Sequence, residues 1–256
     1  MKETQNIECK EVQSLCIQTV SDKALESSWV VANSNMNRER QLSGPNSYEK
    51  DLRFDLSAFL QSRRKVRWLD LCCGTGKALI QASTRFGDRL DCHGVDLVDS
   101  FAAIPVGAGA TFHVASLHSW RCEGPYDLIT SVHGLHYIGD KLGLLERVSR
   151  WLAEDGLFLG HLDLANVSHE QHQAFGAVLG KTFKRLGIRY NTRTKILCFH
   201  GNRHLTFNYA YVGADTTAGP NYTGQDAVRS IYSNQLSSGR YLNCRRDGKN
   251  AIPGYT

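Results

Sequence analysis

Residues 68–79 read WLDLCCGTGKAL: an apolar run closes on Asp70, the chain passes through Gly74 and Gly76, and helical spacing follows. Two glycines without side chains let backbone approach a bound molecule closely. A strand, a glycine turn and a helix in that order put the ligand at the carboxyl edge of a sheet. Asp70 is placed to receive donors from such a ligand. Asp96 closes the next apolar run, GVDL, minus its last leucine, where a carboxylate accepts both hydroxyls of a ribose. Dinucleotides use a similar layout, but Leu79 stands where the GxGxxG pattern requires its third glycine. Asp70 would also meet a pyrophosphate with like charge, so a cationic ligand suits the turn better. A Walker loop is excluded, because Gly76-Lys77 is followed by Ala78 and no earlier glycine completes the pattern.

These residues need a frame to hold them. Residues 66–71 (VRWLDL) read as a buried strand and residues 77–86 as a helix with Ala78, Leu79, Ala82 and Phe86 on one stripe. Strands are expected over 90–97, 110–117, 126–133 and 157–164, and helices over 140–154 and 169–186. Two last strands, 195–200 and 204–212, are expected to pair around the turn Gly201-Asn202. Alternation of this kind implies an α/β fold: a Rossmann-like, mostly parallel seven-stranded sheet with an antiparallel edge pair. Residues 1–60 read as an N-terminal helical extension or lid, 61–235 as the main domain, and 236–256 as a polar tail. Residues 37–52 are too polar to be core.

With 41% hydrophobic residues and no run approaching the roughly 20 apolar residues of a bilayer span, a soluble chain is expected. The N-terminus lacks a charged-then-apolar signal pattern, which makes the cytoplasm the expected compartment. Eight cysteines (Cys9, Cys16, Cys72, Cys73, Cys92, Cys122, Cys198, Cys244) form no CxxC pair and no zinc-type spacing, so no metal is expected. The net charge of +5 is spread out, and its densest groups, 63–67 and 245–249, are short. A nucleic-acid groove is not required by that balance, and no membrane contact is expected.

The motifs LDLCCGTGKAL, GVDL, FHVASL and YDLITSVHGLHYIGDKLGLLERVSRWLAEDGLFLGHLDL resemble those of class I S-adenosylmethionine-dependent methyltransferases, from Arg64 to Val212. The resemblance implies S-adenosylmethionine as cofactor, with Gly74 and Gly76 beneath its methionine part, Asp70 toward its ammonium end and Asp96 on the ribose hydroxyls. Cys72, Leu97, Ser116, Leu117 and Ser131 complete the implied cofactor wall. Ser116 stands where the family usually has an acid or amide facing the adenine amino group, while Leu117 offers backbone and an apolar surface. Many members have glycine where this chain has Cys72; both Cys72 and Cys73 are read as small packing residues of the turn.

The loop SVHGLHY, residues 131–137, is implied to face the transferred methyl. A hydroxyl or amine acceptor needs a proton removed and a carboxylate does not. His133 and His136 are the candidate bases, each with packing or capping as its structural alternative. His161 and Asp163 lie near the end of the fifth strand, whereas His169 and His172 are expected on a surface helix. Residues 37–52, with Arg38, Arg40, Asn46, Ser47 and Tyr48, are expected to fold over the cofactor, Tyr48 as an aromatic cover. Arg40, Asn46, Tyr137, Asp163, Asn221 and Tyr222 are the candidate substrate contacts. The chain lacks the Asn/Asp-Pro-Pro-aromatic signature of base amino-methylation and a Pro-Cys nucleophile. A small-molecule or peptide acceptor is therefore expected, through oxygen before nitrogen, as in natural-product tailoring. An RNA or protein acceptor, and cofactor binding without transfer, stay open, as does the oligomeric state.

Overall fold

The computed structural model describes residues 19–32, 39–122, 124–172 and 174–235. Arg38 and the expected tail 236–256 lie outside the described residues. The described residues open with four short helices, α1 (Asp22–Glu26), α2 (Trp29–Ala32), α3 (Tyr48–Leu52) and α4 (Leu56–Gln61). There follow β1 (Val66–Leu71), α5 (Lys77–Phe86), β2 (Leu90–Asp96), β3 (Ala110–Val114), β4 (Tyr126–Ser131), α6 (Lys141–Trp151) and β5 (Leu152–His161). The last elements are β6 (Val167–His169), α7 (Phe175–Arg185), β7 (Arg189–Tyr190), β8 (Ile196–His200), β9 (Tyr209–Asp215) and β10 (Arg229–Asn234).

Seven strands form one sheet in the order β3-β2-β1-β4-β5-β8-β7. The first five are parallel, while β8 runs antiparallel to β5 and β7 antiparallel to β8. β1 reads as a nearly continuous apolar run because both of its faces are covered. On one face Leu69, Leu71 and Ile129 pack with Leu144, Leu145 and Val148 of α6. On the other, Trp68 and Leu128 pack with Leu79 and Ala82 of α5. The strand order runs outward from β1 to β3 on one side and from β4 onward on the other. The chain thus leaves β1 and β4 in opposite directions, which opens a crevice above their carboxyl ends.

Three expectations about the elements are corrected. The antiparallel edge pair exists, but its members are β7 and β8. The segment after Gly201 does not fold back on β8, because α6 and β5 take its donors: Gly201 N–H bonds the Gly156 carbonyl, Asn202 that of Ala153 and Arg203 that of Ser149, at 2.8, 2.9 and 3.0 Å. β9 instead joins β10 and β6 in a separate three-stranded sheet. The helix expected over 169–186 begins at Phe175; His169 ends β6, its ring 4.4 Å from that of His172 and 5.1 Å from that of Phe175. The segment 37–52 is not a polar surface either. Within it Leu42, Ser47, Tyr48 and Leu52 are buried. The Ser47 hydroxyl accepts from Lys50 N–H as the cap of α3, which turns Tyr48 inward against Trp68.

The small sheet carries the loop above β4. Lys141, at the start of α6, is fully buried, and its Nζ donates to the carbonyls of Ile138 and Val228 at 2.8 Å and to Ser230 Oγ at 2.9 Å. Burial pushes this amine down to about 7, yet three acceptors match the three donors of the ammonium form. The side chain pins the loop 134–139 to β10. Lys141→Met should lower the unfolding free energy by about 3 kcal/mol, since it strands buried acceptors. Urea denaturation is the check, and an unchanged midpoint would mean that the tie contributes nothing.

Candidate active site

The crevice holds a cavity, open to solvent, with Gly74, Asp96, Leu97, Leu117, Arg40 and His133 among the residues on its wall. Its floor is the turn after β1. Cys72, Gly74 and Gly76 all have left-handed backbone, with φ of 59°, 58° and 69°. This conformation costs a side-chain-bearing residue about 1–2 kcal/mol, which gives a physical reason for glycine as the common occupant at Cys72. Cys72 lines the cavity and backs onto the loop after β4: a Cβ on Gly134 would lie 2.4 Å from the Cys72 Cβ. The Cys73 thiol is buried and packs toward Gly94, and burial pushes its pKa well up. It is therefore a packing group in its resting state. Gly76 does not line the cavity. Its missing side chain makes room for Phe112, whose ring would lie 2.2 Å from an added Cβ.

The two acids behind the ligand expectation occupy different environments. Asp96 lines the cavity and accepts from Gly74 N–H at 2.8 Å and Val98 N–H at 3.1 Å. Asp70 is wholly buried and is not on the cavity wall. Its oxygens accept from Tyr48 Oη at 2.6 Å and Thr130 Oγ1 at 2.5 Å, and Thr130 Oγ1 accepts in turn from Trp68 Nε1 at 2.8 Å. Burial lifts Asp70 to about 7 despite the hydrogen bonds from Thr130 and Tyr48. Tyr48 does line the cavity, but with its hydroxyl fixed on Asp70.

The cover over the cavity comes from a segment that carried no motif. Asp22, Leu25, Glu26 and Val31 line it. Asp22 lies 3.2 Å from His118 Nδ1 and accepts from Tyr211 Oη at 3.3 Å. Ser116 does not reach the wall, and its hydroxyl donates to the Glu26 carboxylate; Leu117 does line the cavity. Ser131 is buried behind the wall with its hydroxyl unpartnered.

The histidines divide as well. His133 lines the cavity with φ of 62°, its Nε2 3.4 Å from Asp51 Oδ2 and its Nδ1 3.3 Å from Tyr222 Oη. Its ring stacks on His161 at 4.2 Å and 8°. His136 is fully buried, neither ring nitrogen has a hydrogen-bond partner, and it is not on the cavity wall. Burial drives its pKa well below the ordinary imidazole value, so the ring is neutral.

Among the candidate substrate contacts, Arg40 and Tyr137 line the cavity. Arg40 Nε bonds Asp51 Oδ2 at 2.7 Å, and Tyr137 Oη donates to Gln225 at 3.2 Å. Asn46 is exposed and donates to the Glu39 carbonyl, off the wall. Asp163 and Asn221 are buried and build the loop that presents Tyr222. Asp163 accepts from Tyr222 N–H at 3.1 Å and pairs with Lys195 at 3.2 Å, while Asn221 accepts from Thr223 N–H at 2.7 Å. Asp51, Thr130 and Glu26 escaped the sequence reading. Asp51 lay in a stretch taken for polar cover, and the other two had no spacing signal.

Residues 38–205 match a family model described as a methyltransferase domain. The chain belongs to this methyltransferase-domain family. A curated relative, trans-aconitate 2-methyltransferase of Pseudomonas aeruginosa, is 32% identical over 100 residues, which are 38% of this chain and 35% of the relative. The chain thus spans about a third of the length of the curated relative it matches. Among solved structures, the plantazolicin methyltransferase BpumL, in complex with a monoazolic desmethylPZN analog and SAH, aligns with TM-score 0.37 and 20% identity over 40% of this chain and 42% of that one. Haemonchus contortus phosphoethanolamine N-methyltransferase 2, in complex with S-adenosyl-L-methionine, aligns with TM-score 0.37 and 26% identity over 46% of this chain and 28% of that one. Among the described residues no helix is long and apolar enough to cross a membrane.

The buried acid of the methyltransferase domain has a measurable signature. A carboxyl whose folded pKa lies at about 7 against an ordinary 3.8 resists ionisation in the folded state. Its contribution to stability is complete below the lower value and is lost as pH rises through the upper one. Thermal unfolding of the ligand-free chain should therefore show Asp70→Asn gaining on the parent as pH rises across that window. Parallel curves for the two proteins would place Asp70 outside the titrating groups.

Proposed function

We propose that the chain transfers a methyl group from S-adenosylmethionine to an oxygen, hydroxyl or carboxylate, of a small molecule or peptide, with nitrogen the less favoured acceptor. The observation that carries this reading is the pairing of Asp96 with the bare turn at Gly74 on the wall of a cavity that also holds His133. An ionised carboxylate offers about four lone-pair sites, which suits an acceptor of two ribose hydroxyls. Gly74 keeps the floor clear of side chain for the methionine part. Asp70 sits one layer back, and a cation at that floor would draw it into its ionised form through Tyr48 and Thr130.

When bound, the cofactor supplies an electrophilic methyl on a sulfonium. The chain's own residues align the acceptor and exclude water: Leu25 and Val31 cover the cavity, Arg40 and Tyr137 border it, and His133 stands ready to take a proton. The setting we favour is natural-product tailoring in the cytoplasm, without nucleic acid or membrane as partner.

Asp96→Ala should weaken S-adenosylmethionine binding by at least about a hundredfold, because hydrogen bonds to a charged group contribute about 1.5–3 kcal/mol each. Calorimetry with unchanged affinity would remove Asp96 from the ribose site. His133→Ala should slow methyl transfer to a hydroxyl acceptor by about a hundredfold while leaving cofactor affinity nearly intact. Mass spectrometry of trans-aconitate and of hydroxylated acceptors incubated with cofactor reads out the transfer. If none gains a methyl group while the cofactor binds, the chain is a binding protein and the reading fails.

A further inference from the structure

The groups around His133 define the direction of its lone pair. Asp51, on α3, is half-buried; burial would raise its pKa, but hydrogen bonds from His133 and Arg40 outweigh that and hold it at about 2. An ionised carboxylate accepts only, so the His133 nitrogen facing it, Nε2, carries the ring's proton when the ring is neutral. Nδ1 is then the acceptor, and the group 3.3 Å from it is the Tyr222 hydroxyl. Burial raises the pKa of Tyr222, with Asp51 and Asp163 adding to the rise, so the phenol keeps its proton and donates.

The two neighbouring imidazoles are neutral. His161, from β5, stacks flat on His133; its Nε2 lies 3.1 Å from the Asp51 carbonyl, and burial together with His133 pushes it down to about 3. His136, 6.0 Å away on the same loop, is buried and uncharged. Arg40 reaches the cluster through Asp51. Of the three imidazoles, His133 alone is paired with a carboxylate side chain and lines the cavity.

We propose that Asp51 is a positioning residue that holds His133 with its Nδ1 lone pair toward the acceptor, and that the acceptor carries a hydroxyl where the Tyr222 phenol now touches that nitrogen. This rests on the methyl-transfer reading above. In the step, the acceptor's oxygen bonds the methyl carbon and its proton passes to His133 Nδ1. The carbon–sulfur bond breaks, its electron pair stays on sulfur as a neutral thioether, and the positive charge ends on the imidazolium beside Asp51. A carboxylate acceptor needs no such base and would meet the Asp51 charge. Tyr222, about two-fifths exposed, would have to give up its contact with Nδ1 to the acceptor's hydroxyl.

The test uses the full chain with and without S-adenosylhomocysteine, labelled with ¹⁵N-histidine. Long-range ¹H–¹⁵N spectra should find neutral His133 protonated on Nε2, and Asp51→Asn should move the proton toward Nδ1. Asp51→Ala is the second variant, because an asparagine amide can turn its oxygen to the ring. A proton on Nδ1 in the parent, or a tautomer indifferent to both substitutions, overturns the positioning role. The second readout is 4-nitrophenol, whose phenolate is coloured, bound to the S-adenosylhomocysteine-loaded chain. The parent should favour the bound phenolate about tenfold over Asp51→Ala, since a carboxylate stabilises the imidazolium formed. Equal ionisation in the two, or no binding of 4-nitrophenol, overturns the hydroxyl class. Failure of S-adenosylhomocysteine to bind overturns the reading of function instead, and the ligand-free spectra still decide the Asp51 contact.

Discussion

Asp70 is a carboxylate out of reach of water, and three elements meet on it. Tyr48 reaches it from the N-terminal helices, Thr130 from β4, and Trp68 joins through Thr130 from its own strand. A buried acid with one donor per oxygen is balanced between two states: protonated when nothing positive is near, ionised when a cation arrives. Fixing Tyr48 to it also fixes α3, and α3 carries Asp51 toward His133. The floor and the imidazole cluster thus share one anchor. Losing it would loosen groups that never touch each other.

The backbone at the crevice is shaped by near contacts rather than by glycine alone. The floor turn and the loop after β4 touch where Cys72 meets Gly134, and Cys72 and His133 both hold left-handed backbone. Such conformations cost energy and persist only where neighbouring structure overdetermines them. Here the parallel pairing of β1 with β4 supplies that constraint and brings both residues to the cavity wall. The side chains that face a ligand are therefore held by sheet register, whereas those of the cover are held by hydrogen bonds to its rim, such as Glu26 with Ser116.

Local pattern made the sheet legible and left the cover illegible. β1 and α5 occupy the residues expected of them, because a continuous apolar run and a 3.6-residue stripe are properties of the segment itself. The pairing of β9 was not legible: residues 204–212 look like a strand beside β8, and only the claim of α6 and β5 on the donors after Gly201 sends them elsewhere. Asp96 could be found from its place at the end of β2. Asp51 could not, since its partners Arg40 and His133 come from different parts of the chain and meet only in the fold. The same holds for His136, a candidate base by its place in the loop 131–137, whose ring is buried.

The charges around the cavity follow one logic. Asp96 stands on the wall and Asp70 one layer behind it, while Asp51 pairs with Arg40 and His133. Burial leaves His136 and His161 neutral, so they add polarisable surface without opposing a cation. A proton taken up by His133 would place a cation beside the Asp51 carboxylate, which lies 3.4 Å from its Nε2. A site arranged in this way conserves total charge within a few ångströms during transfer, and preorganised groups need little rearrangement to stabilise the product. That economy of motion requires Asp51, His133 and His161 to be in place before a ligand enters, and the flat stacking of the two rings holds them there.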